Sequence, residues 1–275
     1  TLVRALRLYG AEVIFICRNL QGNIASLLND EFELLILPAF EEPYNKTESS
    51  IRSTDDFSYS HWLGCTQEFD ALETLSLIKS RNIVNVSFLI VDHYAIDSLW
   101  ERIVLEDLIL NESPNIKLVV IDDLANRSHV SDALIDQNIP IHPLIENRYK
   151  EFCPQSSQFF FGPSYSLLSS EYADLHLISP LRTHLSRVLV SFGGIDLNDY
   201  TSQVLHTLSS PEFMHLHVDV VLGQHCPHID TVNDLLVSRG NSTLHIGLPS
   251  MAALILRSDL AIGACGSSVW ERLCL

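Results

Sequence analysis

The sequence predicts an α/β fold made of two Rossmann-like, doubly wound domains that face each other across a crevice. Short apolar runs alternate with segments in which apolar residues recur every three or four positions, which is typical of parallel strands joined by crossover helices. The rhythm pauses near residue 165 and restarts at Ser186, so we expect two domains, 1–165 and 166–275. A length of 275 residues fits one large or two ordinary domains.

The first domain is predicted to open with a helix, because Leu2, Ala5, Leu6 and Tyr9 follow helical spacing and Gly10 ends the run. Its predicted strands are the apolar runs 11–17, 32–37, 84–91 and 116–121, a short strand within 126–142 and one within 159–165. Its other predicted helices are 24–28, 66–79 and 97–110, and the polar stretch 41–59 is predicted to be a loop. Domains of βα units open with a strand, so we expect the first strand to be missing from this chain.

The second domain repeats this alternation. Its predicted strands are 187–192, 215–222, 243–246 and 259–263, and its predicted helices are 197–208, 229–237, 251–256 and a last one opened by Ser267 and Ser268. The chain ends inside that last helix, so we expect the closing helices of the domain to be missing as well.

Composition restricts the function. A hydrophobic fraction of 47% and a charged fraction of 19% indicate a globular chain, and a formal net charge of −17 argues against binding to nucleic acid or to an anionic membrane. No run of 18 apolar residues predicts a membrane span, and no signal peptide is visible. The scattered cysteines form no C-x-x-C pair, which indicates free thiols in a reducing compartment and hence a cytoplasmic protein.

The stretch 259–272 is the strongest candidate for a ligand site. A short strand, a small-residue turn through Gly266 and a helix start at Ser267 and Ser268 bring backbone N–H groups to one point, where a phosphate or pyrophosphate binds well. Glu271, one turn into the helix, is placed to accept hydrogen bonds from a sugar diol. The alternative is a capping box, in which Ser268 and Glu271 satisfy the start of the helix and bind nothing.

A second glycine turn favours ligand binding. Gly193 and Gly194 follow the strand 187–192, with Asp196 shortly beyond, and glycines at a strand end permit close approach of the main chain to a ligand. The same glycines are also common in ordinary tight turns.

In the first domain, Asp92, His93 and Tyr94 directly follow a strand, at the edge where doubly wound sheets bind ligands. We predict them as catalytic residues because such a cluster can orient a water molecule or a sugar hydroxyl. Alternatively, Asp92 caps a turn and His93 packs in the core. Asp122 and Asp123 end the next strand, where we favour a structural turn over a metal site.

No metal and no cofactor is predicted. His215, His217 and Asp219 alternate along a strand, but alternation more often marks an exposed strand face, and the spacing typical of zinc ligands is absent. The serine-nucleophile elbow, the Walker A motif and a full G-x-G-x-x-G are also absent from the sequence.

Five blocks of the sequence, in order, resemble one enzyme family. They read VDHYAIDSLWE (91–101), IDDLANRSHVSDALIDQN (121–138), FGPSYSLLSSEY (161–172), SFGGIDLN (191–198) and DLAIGACGSSVWER (259–272). Together they resemble the UDP-2,4-diacetamido-2,4,6-trideoxy-β-L-altropyranose hydrolases of pseudaminic acid biosynthesis, which are relatives of the MurG-like glycosyltransferases. The blocks span nearly the whole chain, and five ordered blocks are far more specific than any one of them.

The resemblance implies a GT-B-like pair of Rossmann domains, with the sugar of a UDP-sugar in the first and UDP in the second. The implied reaction is metal-independent hydrolysis at the anomeric carbon with inversion. By the same resemblance, the turn 266–268 faces the diphosphate and Glu271 takes the ribose hydroxyls. The pair 193–194 lines the floor of the crevice, and Tyr94 helps to place the sugar or the attacking water.

The resemblance also implies a departure. The family carries a Gly-x-Gly-His-x-x-Arg turn after its first strand, and its histidine is thought to activate the water. This chain begins after that turn, so we expect the main catalytic histidine to be absent and the chain to be inactive or nearly so. Two alternatives stay open, a UDP-sugar-dependent glycosyltransferase of the MurG-like type and a non-catalytic nucleotide-sugar-binding module.

Overall fold

The computed structural model describes residues 1–20, 23, 25, 28, 31–40, 59–111, 113–138 and 148–275. The predicted helix 24–28 and the predicted loop 41–59 lie largely outside these residues. The chain divides into two compact units, Leu2–Leu167 and Leu168–Leu275. Both units combine parallel strands with helices, which confirms the predicted α/β class.

In its described residues, the first unit has six strands in two parallel sheets. The strands are β1 (Ile14–Arg18), β2 (Glu33–Leu37), β3 (Phe88–Val91), β4 (Lys117–Ile121), β5 (Ala133–Asp136) and β6 (Gln158–Phe161). The helices are α1 (Leu2–Leu8), α2 (Gln67–Ser80) and α3 (Ser98–Asn111), with 3₁₀ turns at Ser60–Leu63 and Pro163–Tyr165. β1 pairs with β2, and the larger sheet has the order β3-β4-β5-β6. The described strands of this half therefore form two sheets rather than the one that the sequence predicts.

The core of this unit lies between the larger sheet and the helices α2 and α3. Side chains from both layers are fully buried there, among them Ala71, Val104, Leu118 and Leu134. Because the sheet and the helices share this one apolar layer, the carboxyl ends of β3, β4 and β5 are held in fixed positions at one edge.

Local signals decide where the elements of this unit begin. α2 starts after Thr66, whose side chain accepts the N–H of Phe69 at 3.2 Å as an N-cap. β3 starts at Phe88, later than predicted, because Asn82 and Asn85 have left-handed backbone angles, with φ of 52° and 55°, and interrupt the extended run.

The second unit is a four-stranded parallel sheet in its described residues. The strands are β7 (Arg187–Ser191), β8 (His217–Leu222), β9 (Ser242–Ile246) and β10 (Leu260–Gly263). The helices are α4 (Ser170–His176), α5 (Tyr200–Leu208), α6 (Ile229–Arg239), α7 (Ala252–Arg257) and α8 (Ser268–Cys274). The strand order β10-β7-β8-β9 places the first strand of the unit beside its last. Such an order has a switch point between β7 and β10, where doubly wound sheets bind their ligands.

Apolar side chains cover both faces of this sheet. Val188, Val218 and Val220 pack in a cluster with residues of α5 and α6, and Leu189 and Val221 pack with residues of α7. Burial on both faces explains why β7 and β8 read as nearly continuous apolar runs.

Two predictions for this unit are corrected. α5 begins at Tyr200 rather than at 197, because Asp196 and Asp199 have φ of 45° and 52°, and the Asp199 side chain caps the helix by accepting the N–H of Ser202. Asp219 is completely buried in β8, whereas its alternation with histidines indicated an exposed face. Among the helices of the described residues, none is long and apolar enough to cross a lipid bilayer.

Candidate functional site

The carboxyl ends of β7 and β10 lie side by side and carry the two predicted glycine turns. Gly263 is paired with Ser191 in the register of these strands, so the turns 192–194 and 264–267 leave the sheet at neighbouring points. Gly193 has φ of 92°, which residues with a side chain rarely adopt. The strand order therefore brings the predicted glycines together on the two sides of the switch point.

The glycines at this edge differ in whether the fold has room for a side chain at their positions. A Cβ atom on Gly263 would lie 2.0 Å from the carbonyl oxygen of Ser191, and one on Gly223 would lie 2.1 Å from that of Gly194, so packing requires glycine at both. A Cβ atom on Gly194 or Gly266 would meet no described atom within 4 Å, and neither glycine has positive φ. The main chain at these two positions is therefore open to close approach by a ligand.

Arg272 folds back over the turn that follows β10. Its Nη2 donates to the carbonyl oxygen of Ala264 at 2.6 Å, and its Nη1 donates to the hydroxyl of Ser268 at 3.2 Å. The guanidinium group thus puts a positive charge beside the glycine turn, where an anion can be recognised by charge-assisted hydrogen bonds. Sequence reasoning missed Arg272, since an arginine four residues after Ser268 is also an ordinary helix-surface residue.

The capping-box alternative is wrong. α8 starts at Ser268, its N-cap residue is Ser267, and no side chain among the described residues caps this helix end. The Glu271 carboxylate instead lies beside the hydroxyl of the buried Tyr172, and the two groups interact electrostatically. Because α8 has only seven residues, the turn offers a ligand local N–H groups rather than a strong helix dipole.

Glu271 is partly buried beside this tyrosine. Burial raises the pKa of Glu271, and the hydroxyl of Tyr172 and the charge of Arg272 offset only part of that effect. A carboxylate beside one protein hydroxyl still has further acceptor positions, and these suit the two hydroxyls of a diol.

A pocket of about 460 Å³ lies between the loop after β7 and the turn after β10. Its lining includes Phe192, Ile195, Leu197 and Tyr200 from the loop and Ala264 from the turn. The rings of Phe192 and Tyr200 are 5.7 Å apart. A mostly apolar pocket next to open main-chain groups is the usual composition of a small-molecule site.

The carboxylate of Asp196, which was predicted to bind substrate, accepts hydrogen bonds from the main chain instead. Its two carboxylate oxygens accept the N–H groups of Tyr200 at 3.0 Å and Thr201 at 2.9 Å, at the start of α5. The residue is only 8% exposed. Asp196 therefore shapes the loop that lines the pocket rather than offering a free ligand group.

Asp92, His93 and Tyr94 follow β3 at the carboxyl edge of the larger sheet in the first unit. The Tyr94 hydroxyl donates to Oδ1 of Asp123 at 2.8 Å, so the structure joins the ends of β3 and β4. Nδ1 of His93 accepts the N–H of Ala95 at 3.1 Å, which leaves the ring proton on Nε2. The imidazole therefore stabilises the turn that follows β3 through Nδ1, and its Nε2–H group remains available as a hydrogen-bond donor.

The protonation states of this cluster are shifted by burial. Burial lowers the pKa of His93, whereas burial and the charge of Asp123 raise the pKa of Asp92. Burial and the hydrogen bond to Asp123 raise the pKa of Tyr94 as well. At neutral pH His93 is thus neutral and Tyr94 is a hydroxyl donor, and such shifted groups are typical of functional sites.

The Asp122 carboxylate has a structural role, because both of its oxygens contact other groups of the first unit. Its Oδ1 lies 2.6 Å from Nη1 of Arg127 in an ion pair of fully buried side chains. Its Oδ2 accepts the N–H groups of Leu124 and Ala125 at 3.1 and 3.0 Å, and the Tyr149 hydroxyl donates to it at 3.1 Å. The structure confirms the predicted structural turn at this strand end.

A second buried network surrounds Asp219. Its carboxylate accepts hydrogen bonds from Arg187 and Arg257, each at 2.7 Å, and lies 2.8 Å from Nε2 of His245. Burial alone would raise the pKa of Asp219, but these hydrogen bonds and charges outweigh it and lower the pKa. In the part of the chain that the structure describes, no group of three or more histidine, cysteine or acidic side chains is arranged to hold a metal ion.

Comparison with curated proteins shows similarity to a protein of polysaccharide biosynthesis. No protein-family model matches the chain. The chain is 24% identical over 161 residues, or 58% of its length, to the spore coat polysaccharide biosynthesis protein SpsG of Bacillus subtilis (strain 168). The chain spans less than half the length of that curated relative, because the match covers 46% of it.

Two solved structures are similar to the chain at low identity. One is MurG of Acinetobacter baumannii, with a TM-score of 0.48 and 12% identity over 97% of this chain and 68% of MurG. The other is the pneumococcal O-GlcNAc transferase GtfA in complex with UDP and GlcNAc, with a TM-score of 0.44 and 10% identity over 74% of this chain and 43% of GtfA. At these scores the functional assignment has to rest on the sites themselves.

Proposed function

We propose that the chain is the substrate-binding part of an enzyme that hydrolyses a UDP-linked diacetamido-trideoxy sugar, as in pseudaminic acid biosynthesis. UDP binds to the second unit and the sugar to the first. The observation that carries this assignment is the pair of open glycines, Gly194 and Gly266, at the switch point between β7 and β10, with the Arg272 guanidinium beside them.

Each part of UDP has a counterpart at this edge. The diphosphate is assigned to the main-chain N–H groups of 266–268 and to the charge of Arg272, because backbone donors and a guanidinium suit phosphate oxygens. The ribose diol is assigned to Glu271. The neighbouring apolar pocket of about 460 Å³ is assigned to the remaining, uncharged part of UDP, the uracil base.

Hydrolysis breaks the bond between the anomeric carbon and the oxygen of the β-phosphate while a water oxygen bonds to that carbon. Negative charge then grows on the departing diphosphate, and fixed donors already aimed at it lower the barrier without reorganising. The first unit holds the sugar. There, the Tyr94 hydroxyl, whose proton goes to Asp123, accepts a hydrogen bond from the sugar, and Asp92 and His93 orient a sugar hydroxyl or the attacking water.

The name of the curated relative supports this assignment in general terms. SpsG is described as a protein of polysaccharide biosynthesis, and a nucleotide-sugar substrate fits such a role. We also place the protein in the cytoplasm, because its six cysteines are free thiols and nucleotide-sugar chemistry requires no oxidising compartment.

Isothermal titration tests the nucleotide site. We expect the chain to bind UDP, and we expect Glu271→Ala to lower that affinity by about tenfold through loss of charged hydrogen bonds to the ribose. Glu212→Ala is the matched control, because Glu212 is an exposed glutamate of the same unit in the loop before β8. Equal affinity of the Glu271 variant and wild type contradicts the ribose assignment, and no UDP binding by wild type contradicts the whole proposal.

Product analysis separates hydrolysis from transfer. The protein, including any residues that its gene encodes before Thr1 and after Leu275, is incubated with the UDP-sugar, with and without acceptor sugars, and UDP and free sugar are quantified. A hydrolase releases both without an acceptor. Release of UDP only in the presence of an acceptor indicates a glycosyltransferase, and UDP-sugar binding without turnover in either mixture indicates a binding module.

A further inference from the structure

Three aromatic rings form a cluster beside the candidate catalytic residues of the first unit. The ring centroids of Tyr59 and Trp62 are 4.8 Å apart, those of Tyr59 and Tyr94 are 5.3 Å apart, and those of Trp62 and Tyr94 are 6.0 Å apart. We call these three residues the aromatic platform. It lies at the carboxyl end of β3, because Tyr94 follows Val91 by three residues.

The platform is not part of the apolar core. Trp62 is 47% exposed, whereas the adjacent Leu63 is 4% exposed and belongs to the core cluster of the first unit. The 3₁₀ turn Ser60–Leu63 thus turns the leucine inward and leaves the indole at the surface. A half-exposed tryptophan grouped with two tyrosines is typical of a binding surface, since these rings combine an apolar face with polar edges.

The platform has carboxylates at one border. The Tyr94 hydroxyl donates to Oδ1 of Asp123, and Oδ2 of the same carboxylate accepts a hydrogen bond from the side-chain amide of Asn138 at 3.1 Å. Asp92 comes directly before His93 and Tyr94 in the chain, and its surface is accessible to solvent although the surrounding protein atoms raise its pKa. Apolar rings next to hydrogen-bond acceptors match a pyranose, which has a C–H face and a rim of hydroxyl or amide N–H donors.

We infer that the aromatic platform of Tyr59, Trp62 and Tyr94 stacks against the sugar ring of the substrate, with Trp62 as the main stacking residue. The inference rests on the proposed function, because it assigns the sugar end of the same substrate. Trp62 supplies the stacking face, and the carboxylate of Asp92 accepts hydrogen bonds from the rim of the ring.

The first experiment titrates the chain with UDP and with UDP-N-acetylglucosamine by calorimetry. Trp62→Ala is expected to weaken binding of the UDP-sugar about threefold to tenfold, the worth of one aromatic contact, and to leave UDP affinity unchanged. Trp62→Phe retains an aromatic ring and is expected to keep most of the UDP-sugar affinity. Tyr165→Ala is the matched control in the same unit, because Tyr165 is 46% exposed and its ring contacts Phe160 away from the platform.

The second experiment isolates the platform from the nucleotide site. Free N-acetylglucosamine is titrated while tryptophan emission is recorded, and quenching is expected in wild type and in Tyr165→Ala but not in Trp62→Phe. Loss of UDP binding with sugar quenching retained overturns the proposed function and supports the platform. UDP binding without sugar quenching, or equal UDP-sugar affinity in Trp62→Ala and wild type, overturns the platform and leaves the nucleotide site in place. Thermal unfolding of each variant confirms that the comparison is between folded proteins.

Discussion

The two candidate sites are made of different parts of the chain. At the carboxyl edge of the first unit, side chains hold one another, with Asp122 bound to Arg127 and Tyr94 bound to Asp123. At the β7–β10 edge of the second unit, the surface offered to a ligand is mostly main chain, exposed by Gly194 and Gly266.

This difference separates stability from binding. In the first unit the polar groups at the strand ends also stabilise the fold. Removal of one of their contacts is therefore expected to lower stability and to disturb the candidate site as well. In the second unit, Gly263 is required by packing, whereas the nearby Gly266 has open space where a side chain would lie. Substitution of one of these glycines is therefore expected to change either stability or ligand binding, but not both. The predictions below test this contrast, in order of expected size.

Arg127→Met is expected to give the largest loss of stability. It removes the partner of the Asp122 carboxylate, and both side chains of this ion pair are buried, at 1% and 0% exposure. An unpaired buried charge costs about 3–5 kcal/mol in the free energy of unfolding, measured by urea denaturation. The control is Lys117→Met, which breaks an exposed pair with Asp132 and is expected to cost less than about 1 kcal/mol. Equal losses in the two variants would mean that the first unit does not depend on its buried network.

Gly263→Ala is expected to destabilise the second unit. The added Cβ would lie 2.0 Å from the carbonyl oxygen of Ser191, so β7 and β10 must move apart. Such overpacking costs about 1–3 kcal/mol in the free energy of unfolding, which urea denaturation of the variant and of wild type measures. Unchanged stability would show that the two strands separate freely at this edge.

Gly266→Ala is expected to do the opposite of Gly263→Ala. Its Cβ meets open space, so the free energy of unfolding should stay within about 0.5 kcal/mol of wild type. The methyl group occupies the space proposed for the diphosphate, so we expect UDP affinity to fall about tenfold in calorimetry. A variant that loses stability but keeps UDP affinity would reverse the roles assigned to these two glycines.

The smallest effect concerns pH. Because the pKa of Glu271 is raised, this carboxyl takes up its proton at a higher pH than an ordinary glutamate of pKa 4.5. The protonated form is a weaker acceptor, so UDP affinity should decline as pH falls, beginning above pH 4.5. Glu271→Ala should bind UDP with less dependence on pH over the same interval. A parallel decline in this variant and in wild type would assign the titration to another group.

The sequence was sufficient for the α/β class and for the glycine turns, because both depend on local patterns. Strand-forming runs at 187–192 and 259–263 and the glycines after them are readable within a few residues. What local patterns do not contain is the partner of a side chain. Ser268 and Glu271 have capping-box spacing, yet no side chain among the described residues caps the helix, and Glu271 lies beside Tyr172, which is far away in the sequence.

Partners that are distant in the sequence also explain why the predictions for Asp219 and Asp196 differ from the structure. Asp219 alternates with histidines as an exposed strand residue does, but its partners Arg187, His245 and Arg257 come from three other segments and allow it to be buried. Asp196 was predicted to bind substrate from its place after a glycine turn, although its carboxylate is used to start α5. The aromatic platform also joins a 3₁₀ turn to the end of β3, and no sequence period marks such a meeting.

The pairing of β7 with β10 has a consequence for assembly. These are the first and the last strands of their sheet along the chain, so their contact closes a longer loop than the β7–β8 and β8–β9 pairs and forms after these more local contacts. Until β10 docks, the turns at 192–194 and 264–267 are separate and the proposed nucleotide site is not formed. A nucleotide that binds only the docked form stabilises this last step, so UDP should slow amide hydrogen exchange in β10 more than in β9.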